Sequence, residues 1–423
     1  MSLIPEPLRI PAFRAFWIAR LAATVAQMAM VIVIGWQVYD IARGTMGVKD
    51  AALRLGLIGV VQFVPLFALS LAGGWVADRA DRRWVARGAV ALELLCALAL
   101  ALLAYRGSRS LEALYAVAAL LGVARAFAGP ALGALAPNLV PRKILPRAIA
   151  LSSIAWQGGT VIGPALGGYL YTMSPASPYI ASASLFAISL AGLMLIPPIS
   201  RSAIGGQSSP WKQAVEGLHY VRHNRLVLGA ISLDLFAVLL GGATAMLPVY
   251  ARDILHAGPQ GLGHLRAAPA VGATVIALWF AYRPLKTNVG VKMLAAVALF
   301  AVATVIFGLS TSMPLSLGCL TILGAADMFS VYVRQSLVQL YTPDAMRGRV
   351  AAVSTLFVSA SNELGEAESG FLAALIGPVM AVVGGGVGAL LVVFAWAKIF
   401  PELRLARTFD PPNVDATPAK ETE

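Results

Sequence analysis

Leu121-Gly122-Val123-Ala124-Arg125-Ala126-Phe127 returns 202 positions later, without a gap, as Leu323-Gly324-Ala325-Ala326-Asp327-Met328-Phe329. The register continues to Leu170 and Leu372, aligning Pro141 with Pro343, Arg147 with Arg349, Ser152 with Ser354, Gly163 with Gly365 and Gly168 with Gly370. Two unrelated apolar stretches would share leucines and alanines by composition alone. They would not also keep Pro, Arg and Gly in step. A repeat near half the chain length makes the molecule a doubled unit.

With 59% hydrophobic and 12% charged residues, and a mean hydropathy of +0.78, the chain is too apolar for a water-soluble domain of this length and is read as a membrane protein. A helix needs roughly 20 apolar residues to cross a bilayer. Twelve such windows appear: Phe16 to Tyr39, Leu53 to Ala77, Val85 to Tyr105, Leu111 to Ala136, Ala148 to Tyr171 and Tyr179 to Ile196, then Leu226 to Tyr250, Leu262 to Tyr282, Val291 to Leu309, Leu315 to Leu340, Val350 to Ile376 and Pro378 to Phe400. The first window is long and no small-residue cleavage site follows it, so it is kept as a span rather than a signal peptide. The expected fold is all-α, with a six-helix bundle over 1–196, a linker over 197–225 and a second bundle over 226–400.

The formal charge of +12 is placed by the loops. Arg79, Arg82, Arg83, Arg87, Arg142, Lys143, Arg147, Lys212, Arg222, Arg225, Arg283, Lys286, Arg347, Arg349, Arg404 and Arg407 fall on one side. Arg43, Lys49, Arg54, Arg106, Arg109, Arg252 and Arg266 are assigned to the other. This asymmetry is the positive-inside pattern and puts both termini in the cytoplasm. It argues for a lipid bilayer, not nucleic acid, as the chain's charged partner.

The linker opens with a Ser/Gly-rich run from Ser200 to Ser209. Trp211, Val215, Leu218 and Val221 then recur at helical spacing, as in a short helix lying on the membrane interface. His219 and His223 stand four apart on it with no third ligand in view, so no metal is assigned. Cys96 and Cys319 sit in separate spans as small apolar fillers. Residues 401–423, rich in Pro, Thr and Glu, read as a disordered tail.

Gly74-Trp-Val-Ala-Asp78-Arg79-Ala-Asp81-Arg82-Arg83 follows the second span. It resembles the signature loop of the major facilitator superfamily, with Asp81 where that pattern has Gly. The resemblance implies that Asp78 docks on the start of the eleventh span as a gating contact; by their chemistry, Arg79, Arg82 and Arg83 anchor at lipid phosphates and pair with acids. Gly159-Thr-Val-Ile-Gly163-Pro164-Ala-Leu-Gly167-Gly168 in the fifth span resembles the antiporter motif of the same superfamily at every fixed position. Its glycines leave one helix face bare and Pro164 removes a backbone donor, as suits a helix that pivots against a neighbour. Arg125 with Gly129 resembles a third superfamily motif, with Ala128 replacing a Gln. An arginine at that depth costs roughly 2.5 to 3.5 kcal/mol and must face a cavity or an acid; the resemblance links it to proton coupling.

The halves differ most where the fifth span carries Val161, Pro164 and Leu166, because the eleventh carries Glu363, Glu366 and Glu368. Glu363 and Glu366 share a helix face, while Glu368 points elsewhere. Neighbouring carboxyls in low dielectric compete for protons, so Glu363 and Glu366 are proton-coupling candidates, with Asp327, Asp234 and Arg125; the alternative is ion-paired structural acids. The superfamily lines its path with spans 1, 4, 7 and 10. That makes Arg20, Gln27 and Arg334 substrate-cavity candidates and leaves Glu93 structural.

The resemblance covers Arg14 to about Phe400, and the loops before spans 5 and 11 resemble the bacterial drug and siderophore efflux branch. It implies a monomeric secondary transporter of the bacterial inner membrane, exporting small amphiphilic organic molecules by alternating access in exchange for protons. No nucleotide-binding loop, cofactor pattern or catalytic constellation is visible, and the four histidines are placed outside the spans, so the chain is not read as an enzyme. A lysophospholipid flippase of the same fold and a non-transporting membrane sensor stand as alternatives.

Overall fold

The computed structural model describes residues 5–198, 210–283, 285 and 287–409. After a 3-10 turn at Glu6–Arg9, the chain forms α1 (Pro11–Arg43), α2 (Val48–Arg79), α3 (Arg82–Tyr105), α4 (Leu111–Leu135), α5 (Leu145–Met173) and α6 (Ser177–Met194). A short helix, α7 (Pro210–His223), lies in the connection between the halves. The second half comprises α8 (Arg225–Leu240), α9 (Leu247–Val249), α10 (Gly258–Tyr282), α11 (Val289–Leu309), α12 (Met313–Leu340), α13 (Asp344–Ile376), α14 (Pro378–Ile399) and α15 (Pro401–Leu405). No strand occurs among the described residues.

Local chemistry sets the ends of these rods. The Ser110 hydroxyl accepts the Ala113 amide at 3.1 Å to cap α4, and the Asn224 side-chain Oδ1 accepts the Val227 amide at 3.1 Å to cap α8. Pro11 and Pro378 stand first in α1 and α14, where a missing N–H costs nothing. The turn from α13 into α14 is made by Gly377 at φ +92°, a left-handed conformation that a Cβ would strain.

α1–α6 form one bundle and α8–α14 the other. Within the first, α1 packs on α5 and α6, and α4 on α2 and α3; in the second, α8 packs on α13 and α14, and α12 on α10 and α11. Two seams join the bundles, α2 against α13 and α5 against α10. Because each bundle has six crossings, the described ends of the chain share one face, here the terminal face. Ten stretches of the described residues are long and apolar enough to cross a membrane; α5 and α13 fall short of that measure because Ser, Gln and Gly dilute the first and charges the second.

Three differences from the sequence reading have physical causes. The seventh span is not one helix: it stops at Gly241 and Gly242, runs through a 3-10 turn (Ala243–Met246) and α9, and ends in a π turn (Tyr250–Ile254). Freed carbonyls there are met by side chains, since Ser369 Oγ donates to Gly242 O at 3.3 Å and Arg266 Nη1 to Thr244 O at 3.0 Å. The tail is ordered further than expected, because α15 follows Pro401 and Leu403 is fully buried. The Val289 and Gly290 amides donate to the Arg407 and Ala406 carbonyls. Residues 410–423 and the Ser/Gly-rich run at 200–209 lie outside the described residues. Finally, His264 is in α10, inside the window Leu262 to Tyr282 and not outside the spans, because the helix starts at Gly258.

Candidate functional site: a charged cavity between the bundles

Where α8 breaks, a cavity of about 410 Å3 opens between the bundles. Met28 and Val31 of α1, Gln62 of α2 and Arg125 of α4 line it from the first half. The second half contributes Arg266 of α10, Asp327 of α12, and Asn362, Glu363 and Glu366 of α13. An unwound segment at a repeat interface supplies polar backbone to a site that the bilayer would otherwise leave apolar.

Its charges are arranged in pairs. Arg125 Nη1 lies 2.8 Å from Glu363 Oε1 and donates to Gln62 Oε1 at 3.0 Å, so the pair crosses from one bundle to the other. Arg266 Nη2 lies 3.7 Å from Glu366 Oε1, within the second bundle. Asp327, the repeat counterpart of Arg125, faces the same space. Behind the wall, Asp234 and Arg334 pair at 3.1 Å with side chains 6% and 4% exposed. Asp327 and Asp234 share a small void there.

Of the residues picked out from sequence, the fold therefore brings Arg125, Asp327, Glu363 and Glu366 together. Arg334 is not among the cavity's lining residues: Asp234 neutralises it inside the second bundle. Glu368 stands on another side of α13, with a buried Oε2 that has no hydrogen-bond partner. Arg20 and Gln27 are half-buried on the helical stripe of α1 that carries Val31, towards the terminal face. Glu93 is 3% exposed on α3.

The glycine face of α5 is used mainly inside its own bundle. A Cβ on Gly159 would strike Thr24, one on Gly163 would strike Val25 and Met28, and one on Gly167 would reach Ala29, all on α1. Gly168 alone of the four turns to the other half, where a Cβ would come within 3.0 Å of Gly263 Cα. Pro164 belongs to the same seam, its carbonyl oxygen 2.9 Å from where a Gly263 Cβ would stand.

In the loop after α2, the helix backbone runs through Gly74, Asp78 and Arg79, whose side chains lie outside the described part of the structure. Asp81 explains its own departure from the family pattern: it caps α3 by accepting the Arg83 amide at 3.0 Å and pairs with the Arg83 guanidinium at 2.5 Å. That guanidinium holds the Asp81 carboxyl below its ordinary range. Arg83 and Arg87 also hold the end of α6. They donate to the Ile196 and Leu193 carbonyls at the end of α6, and Arg87 also stacks 4.8 Å above Trp84. Arg82 is half-buried beside them.

Sequence reasoning missed the clasp at the opposite face. Arg252 Nη1 lies 2.8 Å from Asp40 Oδ1, Arg43 Nη2 lies 3.1 Å from Asp253 Oδ1, and Tyr39 donates to the same Asp253 carboxylate. These are reciprocal Asp–Arg pairs between equivalent ends of α1 and the α8–α9 segment. Tyr39-Asp40-x-x-Arg43 and Tyr250-x-Arg252-Asp253 were the readable signal. Arg266 was missed as well, having been placed in a loop although it falls inside the eighth span; its depth was the signal. On the same side of the molecule, Lys49 Nζ donates to Leu375 O at 2.9 Å, and Tyr169 Oη meets His264 Nε2 at 2.9 Å. His219 and His223 are ring neighbours at 4.1 Å, and no group of three metal-ligating residues occurs among the described residues.

Known proteins share this whole frame. The enterobactin exporter EntS of Escherichia coli O1:K1 is 28% identical over 414 residues, 96% of each chain, and that of Shigella boydii serotype 18 is 29% identical over the same span. Among solved structures, a POT family transporter in complex with 5-aminolevulinic acid superposes with a TM-score of 0.73 at 12% identity, covering 95% of this chain and 98% of that one. A D-xylose-proton symporter does so with 0.71 at 14%, covering 94% and 99%, which shows a shared fold. The model of the transmembrane secretion effector family matches residues 4–417, so the chain belongs to that family, a multi-pass transporter family of the major facilitator superfamily.

Proposed function

We propose that the protein exports small amphiphilic organic molecules, of drug or siderophore type, across the bacterial inner membrane in exchange for protons. The full-length likeness to enterobactin exporters favours this substrate class and this direction. The terminal face, which carries most of the lysines and arginines, is the cytoplasmic one. The Arg125–Glu363 pair is the observation that carries the reading: it is an ionic link between the bundles, set in the wall of an organic-molecule-sized cavity beside a second carboxylate, Glu366. A proton delivered to Glu363 removes the charge nearest to Arg125 and leaves its hydrogen bond to Gln62. That weakens the midplane link between the bundles. Glu366, against Arg266, passes protons in the same space.

The described contacts between bundles lie at mid-depth and towards the clasped face, which favours reading this as the state open to the cytoplasm. Rocking about the two seams then breaks the clasp and exposes the cavity to the other side.

Proton release from energised inverted membrane vesicles tests the proposal, with a panel of lipophilic drugs, dyes and catecholate siderophores added to wild type and to Glu366→Gln. Compound-dependent loss of the pH gradient in wild type but not in the variant is the expected result. Loss in both removes Glu366 from the coupling path, and no response to any compound, with protein verified in the membrane, removes the exporter reading.

A further inference from the structure

α7 covers a crevice that the transport path does not use. Val215 and Leu218 of α7, Leu228, Ile231 and Leu235 of α8, and Phe357 of α13 wall a space of about 380 Å3 at the terminal-face end of the second bundle. Its direction is set by helical phase: Leu364 and Phe371, seven and fourteen residues after Phe357, continue that stripe of α13 and are 41% and 57% exposed. Phe236, next along α8, is 37% exposed. In a membrane protein such a stripe faces lipid, so the crevice opens to the bilayer and not to the central cavity. Val215 and Leu218 are themselves 47% and 48% exposed, an arrangement that water alone would penalise.

The rim has a single sign. Among the described residues, Arg222 and His219 of α7 and the Ser232 hydroxyl are the polar groups lining the crevice, and no carboxylate lines it. The nearby acid of α7, Glu216, turns away to pair with Arg349 at 2.5 Å. α7 is also fixed in place, since a Cβ on Gly217 would come within 2.7 Å of the Arg349 carbonyl oxygen and the Tyr220 hydroxyl donates to Tyr341 O at 2.7 Å. A helix pinned to α13, apolar beneath and basic at its edge, presents a slot for a hydrocarbon chain directly under a cationic rim.

We infer that this crevice is a binding site for an anionic phospholipid of the leaflet at the terminal face, with an acyl chain between α8 and α13 and the phosphate at Arg222 and His219. The charge complementarity favours an anionic headgroup over a zwitterionic one, because a guanidinium such as that of Arg222 can donate two parallel hydrogen bonds to a phosphate and no acid among the described residues of the rim could receive a choline or ethanolamine cation. The site stands apart from the transport reading and survives if that reading fails.

Native mass spectrometry of the full chain, purified in detergent and incubated with phosphatidylglycerol or phosphatidylcholine, reads it directly. Wild type is expected to retain phosphatidylglycerol about fivefold better than phosphatidylcholine, and Arg222→Gln to lose that preference. Arg222→Lys keeps part of it. Arg147→Gln, at an exposed terminal-face arginine of the first half that pairs with Glu6, leaves it unchanged. Equal retention of the two lipids by wild type, or equal losses in Arg222→Gln and Arg147→Gln, would overturn the site. Should Arg222→Gln fail to purify as a monodisperse species, His219→Gln takes its place with the same two outcomes.

Discussion

α5 and α13 are copies of one helix put to different work. Their shared glycines do the same job twice. Gly163 and Gly365 each pack on the first helix of their own bundle, at Val25 of α1 and Leu239 of α8, whereas Gly168 and Gly370 each cross to the other bundle, at Gly263 and Gly56. What differs lies on either side of the first of these glycines, where Val161 and Pro164 of α5 correspond to Glu363 and Glu366 of α13. The seams that hold the bundles are thus symmetric and the chemistry between them is not. Duplication supplied a balanced frame, and one copy was then charged.

The crossing glycines carry the largest expected effect. A Cβ on Gly370 would overlap Gly56 Cα, with backbone on both sides and no flexible side chain to yield. Gly370→Leu is expected to destabilise the protein by about 3 kcal/mol, the upper part of the range for overpacking a tight contact, and to abolish transport. Gly168→Leu should do the same at its own seam. Gly384→Leu, where nothing lies within 4 Å of a Cβ, should leave the melting temperature in detergent unchanged. Equal melting temperatures for Gly370→Leu and Gly384→Leu would mean the seams are not close-packed.

The charged side of the comparison is tested by a double-mutant cycle on Arg125→Gln and Glu363→Gln. Their side chains are 29% and 9% exposed, so water screens the pair in part and the coupling should be about 1–2 kcal/mol in thermal stability, below that of a fully buried pair. Additive losses would show that the pair does not bridge the bundles. The clasp should contribute less to stability and more to conformation. Asp253→Asn weakens both the Arg43 and the Tyr39 contacts and should shift the balance towards the state open at the opposite face by about 1 kcal/mol. It is read as faster labelling by an impermeant thiol reagent of a cysteine placed at Thr244; unchanged labelling would separate the clasp from gating.

Much of this frame was legible before any coordinates, because the bilayer enforces it: the repeat, the spans and the buried charges each carry a large energetic penalty for being elsewhere. Glu363, Glu366, Asp327 and Arg125, which line one cavity, were singled out by that penalty. Pairing was not legible. Arg334 looked like a cavity residue until Asp234, 100 positions away, was seen to neutralise it. The clasp joins residues some 210 apart that each lie at a span end, where charge costs little and raises no alarm. The break in α8 was written as Gly241-Gly242, but small residues inside an apolar run serve equally well for helix packing, and only Arg266 and Ser369 reaching its carbonyls distinguish the two.

The smallest effect concerns a place where the halves also part company, the loop after the second helix of each. Asp81 in the first half caps α3 and pairs with Arg83, and the corresponding loop at 282–286 has no acid. Asp81→Gly should cost about 1 kcal/mol of stability, the usual range for losing a helix cap. The sign with pH follows from the direction of the shift. Because Arg83 holds the folded carboxyl below its ordinary value of 3.8, the contribution is complete at neutral pH and begins to fade only as the pH falls through that value. Melting temperatures of wild type and Asp81→Gly should therefore differ by a constant amount from pH 8 to about pH 5 and converge in stronger acid. A gap that persists unchanged in acid would assign the cap to backbone geometry and not to the carboxylate. That would leave the departure from the superfamily's glycine without an electrostatic cause.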